Sequence, residues 1–474
     1  MADSSRLSEA VERLWREKEE LAEANARLVA EKLGLERESR KLQEELAKAR
    51  GRIEGLEARV EELERTAARQ TAPFRRRDSQ KVVEKKPPGR KAGHRGVGRP
   101  RPLHIDREEE APLPACPQCG GAVQDRAPLT QYIEELPPVR PVVTRLTTWK
   151  GICPQCGEVH SRHPLQVSQA QGAAGVQLGP RAVALATLLN KQFGIPMRKT
   201  CRILRDGFGL KLSAGGLAQM LHRVAAKLRP RYEALREQVR QSDANYMDET
   251  SWYVGDPHWV LWVSTAPQYT LYHVDPSHGG GVAEKLLGRE YAGVLVTDCH
   301  GAYKRMKCPQ HKCIAHHLRA LTKARGKNPT SPSAYLDAWE DLWRDVIQLR
   351  HQRDELPAET FAQRRAALEA TWERLLARRA TQAGERAFLV RMQNLGEHHF
   401  GCLYHNVEAT NNRAERAIRP AVIARKVSCG NRTQRGASTW QILVSLATTA
   451  QQCGREFLEE LTSSIPLMEV APAG

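Results

Sequence analysis

Leucine recurs every seventh residue from the start of the chain. Leu7, Leu14, Leu21, Leu28, Leu35, Leu42, Leu56 and Leu63 hold the repeat, and Ala49 fills the one gap. Taking the leucines as d positions puts Val11, Lys18, Asn25, Lys32, Ser39, Leu46, Ile53 and Val60 at a. Leucine at d with β-branched residues at several a positions favours a two-stranded coil, and a polar Asn25 at a would fix its register at some cost in stability. Residues 1–70 are therefore expected to form a dimeric coiled coil. A single amphipathic helix packed on its own domain is the alternative.

The periodicity then stops. Residues 71–104 are rich in Pro, Gly and like charge and cannot bury a core, so they are expected to form an extended arm. From 178 to 240 the pattern is helical. Arg198 to Arg205 and Ser213 to Lys227 are predicted helices joined by a glycine-bearing turn at 206–209, with Ser213 as the second N-cap. The pair reads equally as a helix-turn-helix or as two scaffold helices. From 243 the pattern turns to short strands: Asn245–Asp248, His258–Thr265 and Tyr269–Val274, then a Gly-rich helix start near 280 and a strand over 294–298. Residues 318–398 are mostly helical by pattern, and further helices are expected over 431–474.

Composition adds a partner. At 41% hydrophobic and 27% charged, the 474 residues have enough core material for about three domains. No apolar run reaches 18 residues, which excludes a spanning helix, and no apolar leader opens the chain. A cytosolic, nucleoid-associated protein with no membrane partner is expected. The formal charge is +18, which suggests a polyanion. Residues 1–70 carry 15 basic and 17 acidic side chains, and residues 75–101 carry 11 basic and two acidic, so half of the excess lies in the arm. Arg75, Arg76, Arg77, Arg90, Lys91, Arg95, Arg99 and Arg101 are the candidate DNA contacts there. Gly98-Arg99-Pro100-Arg101 is similar to an AT-hook core, which lays Arg-Pro-Arg in a narrow minor groove. A solvated arm touching phosphates without sequence preference is the plainer reading.

Eleven cysteines in a chain without a leader suit reduced thiols or metal ligands. Cys116-Pro-Gln-Cys119-Gly and Cys153-Pro-Gln-Cys156-Gly are near-identical knuckles. Each turn points two thiolates at one ion, and together they would complete a closed structural Zn²⁺ site in residues 105–170, a zinc-ribbon arrangement. Redox-active or unligated thiols are the alternatives. A second zinc site from Cys308, His311, Cys313 and His317 is also open.

Residues 243–300 reverse the charge, with eight acidic residues against two basic. Two of the strands deliver Asp248 and Asp298. Adjacent parallel strands would set these carboxylates side by side, an arrangement that is costly unless divalent cations neutralise them. On a strand Glu249 faces away from Asp248. Glu415 is the candidate third carboxylate, on a helix capped by Asn412 or Thr410, with Arg413, Arg416 and Arg419 as neighbouring phosphate contacts.

The order of leucine zipper, PGRKAGHRG arm, CPQC knuckles, MDET, VTDCHGAY and NNRAERAIRP resembles transposases of the insertion-sequence-66 family over nearly the whole chain. The resemblance implies a DDE triad of Asp248, Asp298 and Glu415 in an RNase H-like catalytic domain over 243–430, with residues 318–398 inserted between the second Asp and the Glu. It implies two Mg²⁺ (or Mn²⁺) ions and DNA strand cleavage and transfer at the element's terminal repeats. Cys313 and His316 match the family's C-x-x-H, in which a structural role is open. Arg425 and Lys426 match a basic loop after the Glu helix. The expected architecture is thus multidomain α/β: coiled coil 1–70, basic arm 71–104, zinc-binding domain 105–170, helical segment 171–242, catalytic domain 243–430 and C-terminal helices 431–474. Its expected partners are DNA, a second copy of the chain and accessory proteins of the same element. A non-catalytic dimeric zinc-containing DNA-binding regulator and an RNase H-like nuclease are the competing functions.

Overall fold

The computed structural model describes residues 13–25 and shorter pieces of 27–46, then 99–125, 127–163, 166, 176–326 and 333–465. The chain divides into two compact units, Met1–Lys86 and Pro87–Gly474. In the first, residues 13–25 form helix α1, and the described pieces up to 46 are helical as well. The heptad leucines Leu14, Leu21, Leu28, Leu35 and Leu42 are exposed along it.

In the second unit an antiparallel hairpin, β1 (Lys150–Cys153) and β2 (Gly157–His160), carries the second cysteine knuckle at its turn. Helices α2 (Pro180–Thr187), α3 (Met197–Phe208) and α4 (Ala214–Arg240) follow. Gly209 closes α3 in the left-handed conformation, and the Ser213 hydroxyl caps α4 by accepting from Gly216 N–H. At 27 residues α4 is a core helix: Leu217, Leu221, Val224, Leu228 and Leu235 bury one stripe at helical spacing.

The central sheet has the order β5-β4-β3-β6-β7. Strands β3 (Ala244–Trp252), β4 (Trp259–Ala266) and β5 (Tyr269–Asp275) form an antiparallel meander. After α5 (Gly281–Leu287), β6 (Val294–Thr297) returns parallel to β3, and β7 (Gln310–Lys312) lies parallel to β6. β4 is buried at nearly every position because helices cover both faces of the sheet. One face, with Met247, Trp262, Leu271 and Leu295, packs on α4, α5 and the turn carrying Tyr303. The other, with Tyr246, Leu261, Val263 and Val296, packs on α6 (Ile314–Ala324), α7 (Ala334–His351), α8 (Ala358–Ala377), α9 (Ala383–Leu395), α10 (Gly401–Tyr404) and α11 (Asn412–Ser428).

Helix α12 (Gln434–Gln452) lies along the free edge of β5, and α13 (Phe457–Ser464) follows it. Gln441, Ser445 and Thr449, spaced four apart on one helix face, accept hydrogen bonds from the backbone N–H groups of Val274, Tyr272 and Thr270. The edge is thereby satisfied by side chains and cannot template another strand. Among the described residues no helix is long and apolar enough to cross a membrane.

The candidate carboxylate site

Asp248 lies in mid-strand on β3, on the Tyr246 face of the sheet. The parallel register pairs Tyr246 with Val296. Continued by two residues, it sets Asp298, just past the end of β6, opposite Asp248. Asp248 accepts from the backbone N–H of Glu249 at 2.9 Å, and Asp298 accepts from the backbone N–H of His300 at 2.8 Å. Each carboxylate is thus aimed by an adjacent amide.

Glu415 comes from the first turn of α11, and its helix is fixed by the residues before it. Asn411 is fully buried. Its Nδ2 donates to Met247 O at 2.7 Å, and its backbone N–H donates to Cys313 Sγ at 3.1 Å. Cys313 in turn donates its N–H to Thr297 O. The start of α11 is therefore clamped between the residue before Asp248 and the residue before Asp298. The N-cap is Asn411, not Asn412 or Thr410; its Nδ2 donates to the sheet, and in that orientation its Oδ1 makes no cap bond. Nearby, the Glu408 N–H donates to Tyr246 Oη, and Arg413 pairs with Glu408 at 2.6 Å while lying over the Tyr246 ring.

The electrostatics follow from this convergence. Burial, Glu249, Asp298 and Glu415 together push the Asp248 carboxyl up to about 8, against the opposing pull of the Glu249 amide. Glu415 receives Arg319 from α6 at 2.7 Å, with His316 Nδ1 4.0 Å away. Burial and the Arg319 charge lower the His316 pKa. Cys313, His316 and Glu415 offer ligand atoms within 4.8 Å of one another. Burial raises the Cys313 thiol pKa, and its sulfur already accepts the Asn411 amide, so Cys313 acts as a positioning residue for the Glu415 helix.

Nothing in the residue pattern marks Arg319 or Lys312. Lys312, on β7, is buried over the Tyr303 ring on the sheet face opposite to the triad, donates to Thr297 Oγ1 at 2.8 Å, and is lowered to about 8 by burial. Lys and His in a three-residue strand carry no strand signal, which is why β7 escaped the hydrophobic pattern.

The remaining candidates separate. Arg416 and Arg419 are exposed on α11. Arg425 is held by Thr250 Oγ1 at 2.9 Å and Ser251 Oγ at 2.6 Å, so it ties α11 to β3. Arg425 and the partly buried Lys426 lie in the last turn of the Glu415 helix, not in a loop after it, because the helix runs on to Ser428. Arg99 pairs with Glu134, and Arg101 is exposed. Arg75, Arg76, Arg77, Arg90, Lys91 and Arg95 lie outside the described residues.

Each cysteine knuckle forms its own turn. Gly120 and Gly157 take positive φ after Cys119 and Cys156, as a tight turn requires. The Gln118 and Cys119 amides and the Cys119 thiol lower the Cys116 pKa. The Cys156 and Gln155 amides and the Cys156 thiol do the same for Cys153. Among the described residues the four sulfurs are not gathered into one cluster. Cys308, His311, Cys313 and His317 do not gather either. Cys308 packs in the core on one face of the sheet, Cys313 Sγ accepts from the Asn411 N–H, and His311 bonds Ala409 O.

Residues 175–439, which contain all three carboxylates, match the family model described as Transposase IS66 family. The chain is also similar to two proteins of Sinorhizobium fredii (strain NBRC 101917 / NGR234), each named only as an uncharacterized protein. It is 25% identical to y4hP over 90% of this chain and 83% of that protein. It is 25% identical to y4qI over 79% of this chain and 76% of that protein.

Proposed function

The chain belongs to the Transposase IS66 family, and on that premise we propose that it is the DDE transposase of an insertion sequence, cutting and joining DNA at Asp248, Asp298 and Glu415. The observation that carries the reading is the strand register that sets Asp298 opposite Asp248, with Glu415 delivered from the clamped start of α11. The strand order β5-β4-β3-β6-β7, three antiparallel strands followed by two parallel ones, supports an RNase H-like catalytic domain.

Three converging carboxylates are an oxygen donor set suited to Mg²⁺ or Mn²⁺. Asp248, Asp298 and Glu415 would hold the ions, and the raised pKa of Asp248, caused first by burial and then by the neighbouring carboxylates, marks a charge that a cation would relieve. Ions bound there supply Lewis-acid activation of the attacking oxygen and stabilise the leaving one. The protein's own residues do the positioning. Asn411 and Cys313 hold the Glu415 helix to the sheet, the Glu249 and His300 amides orient the two aspartates, and Arg319 pairs with Glu415 in competition with an incoming ion. Exposed Arg416 and Arg419 are suited to DNA phosphates, and the basic arm over 75–101 adds sequence-independent attraction.

The exposed heptad leucines support self-association through α1, which would hold two DNA ends in one complex. We assign the two knuckles to a structural Zn²⁺ over 105–170 on their Cys-x-x-Cys spacing alone, and binding it would require the four sulfurs, which stand apart in the structure, to close together. The function is tested by incubating the purified chain with DNA carrying the element's terminal repeats. Mg²⁺-dependent nicking at the repeat ends supports it. Repeat-specific binding with no cleavage would indicate a regulator, and cleavage without regard to the repeats a general nuclease.

A further inference from the structure

The residue after the first aspartate belongs to a different constellation. Side chains alternate along a strand, so Glu249 faces the sheet surface opposite to Asp248. There its carboxylate is nearly buried, with the side chain 10% exposed. Fully buried Tyr303 donates to Oε2 at 2.5 Å. The other oxygen, Oε1, faces two imidazole nitrogens, His278 Nε2 at 3.6 Å and His300 Nδ1 at 3.7 Å. The two rings stack with centroids 4.7 Å apart, and all three ligand atoms fall within 4.8 Å of one another.

We propose that Glu249, His278 and His300 form a second metal site, for a zinc-class divalent transition ion, on the face of the sheet opposite the carboxylate triad.

The distances carry it. Both imidazoles face the carboxylate at ion-pair distance, the place where a divalent ion would take over from ring protons. Zinc takes nitrogen and carboxylate oxygen at about 2.0–2.2 Å, so two tetrahedral ligands stand about 3.3 Å apart. The two Glu–His separations exceed that edge by a few tenths of an ångström, and the solvent-facing stacked rings would turn to bring their in-plane nitrogens onto one ion. Two imidazoles and a carboxylate suit zinc-class ions, whereas Mg²⁺ prefers all-oxygen ligands.

The surroundings are built to hold this arrangement. Tyr303 fixes the carboxylate, as an outer hydrogen bond commonly does for a metal-binding carboxylate. Trp262 meets the His278 ring edge-on. Gly280 brings the His278 loop against the His300 turn: a Cβ there would fall 2.4 Å from Ala302 O, so no other residue permits the approach. The His278 and His300 side chains are 57% and 38% exposed, which leaves the site open to solvent on one side. His300 Nδ1 also receives a long 3.4 Å contact from Ala302 N–H, which an ion would replace. Because the His300 amide holds Asp298, an ion here would also stiffen the turn that presents the second aspartate.

The test uses the full-length chain, stripped by chelator, loaded with Zn²⁺ or Co²⁺ and desalted. Metal analysis of wild type against the double variant His278→Ala/His300→Ala is expected to show one ion fewer per chain in the variant. The cobalt–thiolate absorption of the cysteine knuckles should stay unchanged. Equal stoichiometry overturns the proposal, as does a loss that takes the thiolate band with it. His278 is exposed, so the single variant His278→Ala serves if the double variant does not fold. It is expected to weaken the non-thiolate Co²⁺ affinity by about tenfold or more, and unchanged affinity overturns the site.

Discussion

Replacing Asp248 with asparagine should make the metal-free protein more tolerant of alkali. Burial and the neighbouring carboxylates raise this group from 3.8 to about 8. A carboxyl raised in the folded state lends its full stability below the unfolded pKa, and that stability is lost as pH rises through the folded value. Between pH 6 and about 8 the unfolded chain has already released the proton that the folded chain keeps. Each unit then costs about 1.4 kcal/mol, or about 2.7 kcal/mol over the interval. Asp248 is partly exposed, and solvent screening brings the expected figure to about 1–2 kcal/mol. Asn keeps the shape and cannot ionise. Urea unfolding in EDTA, run on both proteins at pH 6 and pH 9, reads the difference directly. The stability gap should widen in favour of Asp248→Asn by about 1–2 kcal/mol at pH 9, and added Mg²⁺ should narrow it by binding the ionised wild-type carboxylate. A gap that is equal at the two pH values, or that widens in the other direction, refutes the electrostatic account.

Other substitutions probe the scaffold. Asn411→Ala removes the donor to Met247 O and should cost about 1–3 kcal/mol of unfolding free energy. Cleavage should fall with it, and a stability change below the error of the denaturation curve would show that the clamp is idle. Arg319→Ala releases Glu415 from a partly exposed pair worth about 0.2–1 kcal/mol, so the Mg²⁺ concentration for half-maximal cleavage should drop by up to about fivefold. DNA affinity measured against salt should follow a steep log–log slope of about −0.9 per phosphate contact. Deleting 75–101 should flatten that slope, and an unchanged slope would move the DNA contacts elsewhere.

Much of the frame could be read from periodicity. The strands expected over 258–265 and 269–274 lie within a residue of β4 and β5. Ser213 stands just before an apolar helical stretch, where a cap is expected, and it caps α4. The residues that assemble the site were harder to read, because their roles depend on partners far along the chain. Asn411 gives its amide to Met247 and not to its own helix, so a local capping rule selects Asn412 or Thr410 instead. Arg319 reaches Glu415 across 96 residues. β7 is three buried polar residues and carries no apolar alternation. The Glu249, His278 and His300 cluster joins one strand to two loops, and only the folded sheet brings them together.

The central claim is that Asp248, Asp298 and Glu415 act as one metal-dependent DNA-cutting centre. The direct measurement is Mg²⁺-dependent nicking of terminal-repeat DNA by wild type and by Asp298→Ala, with DNA binding followed in parallel. Asp298→Ala is expected to bind the repeats with wild-type affinity and to lose nicking altogether. Near-normal nicking by that variant would contradict the account.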